Sequence, residues 1–419
     1  MTFIKGFIMN LDYKVYQPSA FPLRYAVFLL LMLIGPSFAL MQLKGFHLSV
    51  VFLTVVGVLY WLRARAVDSK QAQLIVLLAV FMSLWLPMHL LSGAISARYF
   101  AYCFYFIFTL AIFYFSFRAL ITLNKKTLFR IIQTFIYIDL LVVLAEVFLN
   151  IAFFNYYPLA GSEYQVGSAF WSNMNTNAAV LVLLNSSLYF LNFNRAFYIN
   201  SLPIMMLSLV VDAKLCFLAA AGQLVLAQLL ASGVARVVFS IVMIVVAPIL
   251  AFVFQKQLGY VLYTFNQALE FLANTEALEA IVSSGNMFSV AIRAYALSEM
   301  FEVVSKFSFL NWLFGIGFGN INISFVNNEW GGLIEYFAPH LFYLEMLIYA
   351  GFSYYVFYFY VMTILAGRIP WRSTLIALPS LGAIVAISSA VYFLPLYFFF
   401  AVLTFWEYEQ LQKGDRNEA

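Results

Sequence analysis

The sequence predicts an all-α fold: a polytopic integral-membrane bundle of about twelve transmembrane helices with one large helical loop outside the bilayer. Three observations predict it. The 419 residues are 65% hydrophobic and only 10% charged, against about 25% charged in soluble domains. The apolar residues gather in runs near the length of about 20 that a membrane helix needs. Lysine and arginine fall in the short connectors between those runs. In lipid each run must satisfy its own backbone hydrogen bonds, so the runs are helices.

Taken in order, the candidate spans are 25–43, 48–62, 74–91, 99–122, 131–154, 175–193, 198–211, 215–231, 234–254, 341–365, 374–389 and 391–406. Lys5, Lys14 and Arg24 precede the first, which reads as a retained signal-anchor. The seventh is short and carries Pro203. The last two follow Pro370 closely and can form one broken hairpin. Between the ninth and tenth spans the apolar pattern stops, and 255–339 is a single polar block. Within it 265–282 reads as helical, with Leu269, Leu272 and Ala273 on one stripe. Ser283-Ser284-Gly285-Asn286 is a break. A second amphipathic helix follows over 288–307, with Val290, Ala294, Leu297 and Phe301 at helical spacing. The chain thus divides into N-terminal transmembrane helices (1–254), the loop (255–339), and C-terminal transmembrane helices with a tail (340–419).

Orientation follows from the basic residues. With the N-terminus in the cytoplasm, only Lys44, Arg98, Lys214, Lys256, Arg293 and Lys306 of the 22 lysines and arginines fall outside. Both termini are then cytoplasmic and the large loop is outside. In a bacterium that is the periplasmic face of the inner membrane, where no nucleotide is available and an enzyme needs an already activated substrate. A net charge of +4 gives no reason to expect nucleic acid. Cys103 and Cys216 both fall in spans, so no disulfide is expected. His47, His89 and His340 are too scattered for a ligand set, and no metal or cofactor is expected. His47 and His89 read as packed or interfacial polar groups.

Several residues stand out against the apolar background. Asp139 and Glu146 lie seven apart, on one face of the fifth span, and intramembrane carboxylates are functional candidates by default. The alternative is a buried pair hydrogen-bonded to neighbouring polar side chains. Leu313-Phe-Gly315-Ile-Gly317-Phe-Gly319-Asn320 has the glycines of a phosphate loop. It has no preceding strand and no Lys-Ser/Thr after it, so a tight turn packed on the bundle or on lipid is the better account. Arg293 lies on the second loop helix, and Pro339-His340 opens the tenth span, which continues through Leu344 and Glu345 to Gly351.

This order of motifs resembles the O-antigen ligase and polymerase superfamily (Wzy- and WaaL-type). Its members place an arginine in an outer loop, then an LxGxGxG turn, then a Pro-His start to a helix of form xxxLxxLxxxxG. Gly167-Ser-Ala-Phe-Trp-Ser-Asn-Met-Asn175-Thr-Asn177-Ala-Ala is similar to the family's Asn-rich entry to a span. Asp212-Ala-Lys214 stands where the family usually has Ser-Arg, so a point charge replaces a planar fork. The resemblance covers roughly 167–351. It implies an inner-membrane O-antigen, capsular or exopolysaccharide polymerase, a glycosyltransferase that joins undecaprenyl-diphosphate-linked oligosaccharide repeat units without metal or nucleotide. Its implied partners, besides that donor and the bilayer, are a chain-length regulator and a flippase. The close sibling is the ligase that moves finished glycan onto lipid A core.

Under that resemblance the roles are specific. Arg293 stabilises the leaving diphosphate bidentately, with Lys214 and Arg98 as further diphosphate-binding cations. His340 is the acceptor's base, with an unperturbed pKa near 6.5. Asn175, Asn177 and Glu345 are the glycan-binding candidates. A competing class is a polysaccharide flippase or other secondary transporter. It predicts internal repeats and helices broken near the midplane, and Asp139 and Glu146 are its best residues.

Overall fold

The computed structural model describes residues 42–43, 46–47, 69–93, 95, 97–151, 153, 166–167, 169, 174–211, 213–231, 255, 263, 266, 288–321, 323, 325–327, 332–334, 341–385 and 393–418. The expected spans 48–62 and 234–254 lie outside them, as do nearly all of 25–43 and of the loop helix 265–282. In chain order the helices are α1 (Ser69–Leu91), α2 (Ala97–Thr122), α3 (Lys125–Leu149), α4 (Met174–Phe190), α5 (Asn194–Val210), α6 (Lys214–Leu230), α7 (Phe288–Ser305), α8 (Phe309–Phe314), α9 (Phe342–Ala350), α10 (Phe352–Ala366), α11 (Trp371–Gly382) and α12 (Leu394–Glu418). Two short antiparallel pairs accompany them: β1 (Gln42–Leu43) with β2 (Phe46–His47), and β3 (Phe325–Asn327) with β4 (Gly332–Ile334). The expected helical class is what the described residues show, with these two small pairs added.

Ser69–Leu91, Tyr99–Thr122 and Lys125–Leu149 are long and apolar enough to cross a membrane, and α9 with α10 makes a fourth if counted as one broken span. Helix α3 shows why this is a membrane pattern. Its buried residues include Gln133, Asp139 and Glu146, while Tyr137, Ile138, Leu141, Leu144 and Phe148 are exposed. Polar groups inside and large apolar groups outside is the reverse of a soluble helix, and it suits a lipid surround.

Four span boundaries move, each for a local reason. The fifth span was expected over 131–154. The helix instead starts at Lys125, because the Asn124 side chain accepts from Lys126 N at 2.9 Å, a standard N-cap. It stops at Leu149, where Asn150 turns left-handed at φ 54° and donates its N–H to Glu146 O. The eleventh ends at Gly382 in a run of turns. The twelfth does not stop at Trp406 but stays helical to Glu418. The tenth, expected as one span over 341–365, is two helices bent by 102°.

The bend sits at Gly351, φ 66°, a conformation that favours glycine. A Cβ on Gly351 would lie 2.4 Å from Leu313 C, and one on Gly315 would lie 2.4 Å from Tyr349 C and O. The two backbones are therefore pressed together at two facing glycines. Ile316 N donates to Ile348 O at 2.8 Å and Gly317 N to Tyr349 O at 3.1 Å. The glycine-rich turn thus takes up carbonyls that α9 leaves unpaired where it ends. The expectation of a packed turn holds. The loop helix α7 also forms, and of the expected stripe Leu297 is half-buried. Ala296, Met300 and Val304 are buried, whereas Phe301 is exposed.

The core lies around α4 and α12. Every residue from Asn177 to Leu188 is buried. Helix α12 packs on α2, α4, α10 and α11, and α4 on α3, α5, α6 and α11. Phe106, Phe113, Phe357, Tyr358, Tyr397 and Phe400 line the seam of α2, α10 and α12, with ring centroids 4.9–6.4 Å apart. Among helices in lipid such packing, rather than exclusion of water, holds the bundle.

Replacing Gly315 or Gly351 by alanine should lower the thermal midpoint of the detergent-solubilised protein by the equivalent of roughly 2–4 kcal/mol each. Gly93 is also left-handed, but a Cβ there meets nothing within 4 Å, so Gly93→Ala should cost only about 1 kcal/mol. Equal shifts for all three would show that the two-glycine contact does not hold the bend.

Candidate functional site

The helices alternate in direction, so their connections gather at two ends. One end carries Lys70, Lys125, Arg368, Glu407 and Glu409. Lys125 Nζ lies 2.6 Å from Glu409, Arg368 Nε donates to Glu407 at 2.5 Å, and Ser373 N donates to the other Glu407 oxygen at 2.9 Å. The opposite end holds the last turns of α1, α3 and α5, the first turns of α2, α4 and α6, and the glycine-rich turn. Contacts tie these pieces together. His89 on α1 meets Tyr99 Oη at 3.1 Å through Nδ1 and Phe314 O at 2.9 Å through Nε2. The second contact fixes the Nε2 nitrogen as the donor, since a carbonyl can only accept. Trp85 Nε1 donates to Ser353 Oγ at 2.5 Å just past the bend. The Tyr343 hydroxyl donates to Leu381 O at 2.9 Å. Helix α9 therefore lies across this end of the bundle instead of continuing α10.

Five of the sequence-derived candidates stand at this second end. Arg98 is in the first turn of α2, and nothing of its side chain is described. Asn175 is the second residue of α4, half-buried, and Cys216 Sγ reaches its carbonyl at 3.5 Å. Lys214 opens α6 two residues before Cys216 and is half-buried. Asn177 is 1% exposed and its amide donates to Asp139 Oδ2 at 2.9 Å. Glu345 is fully buried in the first turn of α9. Arg293 lies on α7, which packs against α9, and its side chain is not described. His340 and Pro339 lie outside the described residues, one residue before the Leu341 cap of α9. The helix bearing Arg293 and the helix that follows His340 are thus neighbours. On α7, the Lys306 ammonium, 2.5 Å from Glu302, holds that exposed carboxyl below its ordinary range.

The two intramembrane carboxylates serve different ends. Glu146 accepts backbone N–H groups from Phe153 at 3.0 Å, Gly167 at 2.9 Å and Ala169 at 2.9 Å. It pins the segment that leads into the Asn-rich entry of α4. A Cβ on Gly167 would strike Val211 at 2.5 Å, so the same segment is wedged against the end of α5. Asp139 holds only Asn177, and Asp139 Oδ1 and Asn177 Oδ1 find no hydrogen-bond partner. The expectation of a buried carboxylate bonded to a neighbouring polar side chain fits Asp139, whereas Glu146 is buried but is held by main-chain N–H groups. The role of Glu146 had one signal, a carboxylate within a span; its partners are main-chain groups with no sequence signature. His89 as a three-way brace had no signal at all. Cys103 and Cys216 are both free and buried. Among the described residues no three His, Cys, Asp or Glu side chains come together in a metal-binding group.

No protein-family model matches the chain, and no curated protein is found to be similar to it.

Glu146→Ala would leave three backbone donors without their acceptor. At about 1–3 kcal/mol for each buried orphan, it should cost roughly 3 kcal/mol, read as a fall in the thermal midpoint of the detergent-solubilised protein. Glu146→Gln keeps one acceptor oxygen and should fall between. A thermal midpoint equal to the parent's in Glu146→Ala would remove the clamp from this account.

Proposed function

We propose that this chain is a bacterial inner-membrane glycosyltransferase of the polysaccharide-polymerase kind, joining undecaprenyl-diphosphate-linked repeat units on the periplasmic face. The observation that carries the reading is the joining of α7, the glycine-rich turn and α9. These are the three pieces that the resembled family strings together in its outer loop, and here they pack as one unit over one end of the bundle. Arg98, Lys214, Asn175, Asn177 and Glu345 stand at that end. In this reading the fold has about twelve spans, both termini are cytoplasmic and 255–339 is the periplasmic loop.

The chemistry follows from the charges. A lipid diphosphate leaving group gains negative charge as the glycosidic bond breaks, and cations placed in advance lower that barrier. Arg293 supplies a forked contact, with Lys214 and Arg98 beside the path. His340 takes the proton of the acceptor hydroxyl. Asn175 meets a sugar hydroxyl; Asn177, held by Asp139, sets the floor beneath it, and Glu345, buried in the first turn of α9, backs the glycan site from within. The ligase that transfers glycan to lipid A core would use the same centre with another acceptor. One observation favours the transporter reading: the 102° break in the span through Gly351, since carriers use discontinuous helices at their binding sites.

Topology comes first. Cysteine labelling or fused tags at both termini and after Arg368 should report the cytoplasm, and a tag at Asn286 the periplasm. A cytoplasmic Asn286 would remove the mechanism with the orientation. The centre is tested by glycan analysis at matched protein level. His340→Ala should lower polymerisation about a hundred- to ten-thousand-fold, and Arg293→Lys should be strongly impaired because an ammonium cannot reproduce the fork. Lys214→Arg should be tolerated. Single lipid-linked repeat units should accumulate on the periplasmic face. Normal polymer from both His340→Ala and Arg293→Ala would overturn the transferase reading. Repeat units stranded on the cytoplasmic face in a well-folded Asp139→Asn variant would favour the carrier.

A further inference from the structure

At the basic end, opposite the site above, α3 and the turn between α4 and α5 enclose a cleft of about 370 Å³, within the range of small-molecule sites, roughly 300–1,000 Å³. Its walls are Phe129, Tyr137, Phe193 and Ile199, with Arg195 at the mouth and Gln133 at the floor. The floor is closed: Gln133 and Asn200 exchange amide hydrogen bonds at 3.0 and 2.9 Å. Phe129 and Phe193 lean together at 4.6 Å between centroids and fix the turn against α3. Among the described residues no acidic side chain lines the cleft.

The mouth is strongly basic. On α3, positions 126, 130, 133 and 137 recur at helical spacing, so Lys126 and Arg130 flank the stripe that carries Gln133 and Tyr137. Lys126, Arg130 and Arg195 are all exposed. Unlike Lys125, which is bound to Glu409, none of the three makes an ion pair among the described residues. The amides of Asn192 and Asn194 stand exposed beside Arg195. Seven residues deeper than Arg130, about 10 Å along the helix, Tyr137 is 49% exposed, and beyond it Ile138 and Leu141 are exposed as well. The surface therefore passes from three free cations, through amide donors and aromatic rings, to bare aliphatic side chains.

We infer that this cleft is a binding site for one anionic glycerophospholipid, its phosphate held by Arg130 and Arg195 and an acyl chain laid along Tyr137, Ile138 and Leu141. The gradient of polarity matches that of the ligand along its length. A free phosphate would use only the mouth, and a zwitterionic lipid would bring a choline cation into a ring of three positive charges. Basic pockets between membrane helices on the cytoplasmic side suit acidic headgroups for the same reason. This inference is independent of the catalytic proposal, since it concerns the other end of the bundle.

The test uses the full-length protein, delipidated in detergent and examined by native mass spectrometry with phosphatidylglycerol, with phosphatidylcholine of the same acyl chains, or with glycerol 3-phosphate. One phosphatidylglycerol should be retained at stoichiometry, with phosphatidylcholine and glycerol 3-phosphate retained far less. Each cation near the surface contributes about fivefold, so the Arg130→Gln, Arg195→Gln double variant should bind phosphatidylglycerol about 25-fold more weakly. The Arg130→Lys, Arg195→Lys variant should bind nearly as the parent does. Equal retention of the two lipids by the unmodified protein overturns the site, and that comparison stands even if a variant fails to fold. Equal retention by the parent and a folded glutamine variant also overturns it. Retention of glycerol 3-phosphate as strong as that of the lipid would make this a phosphate site and reject the lipid.

Discussion

The arrangement at the second end of the bundle depends on one contact, the approach of the backbone at Gly315 to the backbone at Gly351. Without Cβ atoms at both positions the strands of main chain come within reach of hydrogen bonds, and Ile316 and Gly317 donate into the end of α9. That exchange solves a problem the bend creates. A helix that stops inside a bundle leaves carbonyls without partners, and in an apolar surround each costs several kcal/mol. The glycine-rich turn supplies the missing donors. In return the turn is fastened to the membrane helices, and α8, α9 and α10 pack on one another. His89 reinforces the joint from α1 by holding Phe314 O.

The same constraint explains where the remaining polar groups sit. In the interior of this bundle they are engaged by main chain or by one another: Glu146 by three N–H groups, Gln133 by Asn200, and Ser380 by Gln223 and Ser186. Not every atom is matched: among the described residues Asp139 Oδ1 and Asn177 Oδ1 lack a hydrogen-bond partner, as do Asn185 Oδ1, Gln223 Nε2 and the Tyr349 hydroxyl. The Asp139–Asn177 pair lies one turn inside α4, beneath the Asn-rich entry to that helix, and it leaves two acceptor oxygens side by side near that end of the bundle.

Hydropathy and capping made the helices legible, and the backbone breaks were not. The spans at 74–91 and 99–122 needed only their apolar length, and the Asn124 cap was visible in principle from an Asn between two helical runs. The 102° bend was hidden because the residues on both sides of Gly351 are uniformly apolar, so no polarity change marks it; a glycine within a span is common in membrane helices. On α7 the exposure of Phe301 was hidden for a related reason. Val290, Ala294, Leu297 and Phe301 share a stripe, but a helix lying against other helices near lipid can expose a phenylalanine at no loss, and burial fell to the smaller Ala296 and Met300. For the candidate site, the order of motifs named residues that the fold gathers at one end of the bundle, Arg98, Asn175, Asn177, Lys214 and Glu345. Which polar atoms would hold each other there, Asn177 with Asp139 above all, depends on helix pairing that spacing alone does not encode.

The basic end shows that the orientation signal is made of two kinds of residue. Lys70 donates to Leu365 O at 2.6 Å, where the negative end of the α10 dipole lies, and rests over the rings of Phe117 and Tyr408. Lys125 and Arg368 are bound to Glu409 and Glu407. Glu407 is buried, and removing Arg368 would leave its charge inside the bundle, which is costly. These cations join helices, and they would be needed whatever lay outside. Among the described residues Lys126, Arg130 and Arg195 make no ion pair. They are exposed at or beside the cleft lined by Phe129, Tyr137, Phe193 and Ile199, where an anion from outside the protein would meet them. A positive-inside count treats all of these residues alike. The structure separates those that hold the bundle together from those that address its surroundings, and the second group is the one that a change in the membrane's own charge would reach.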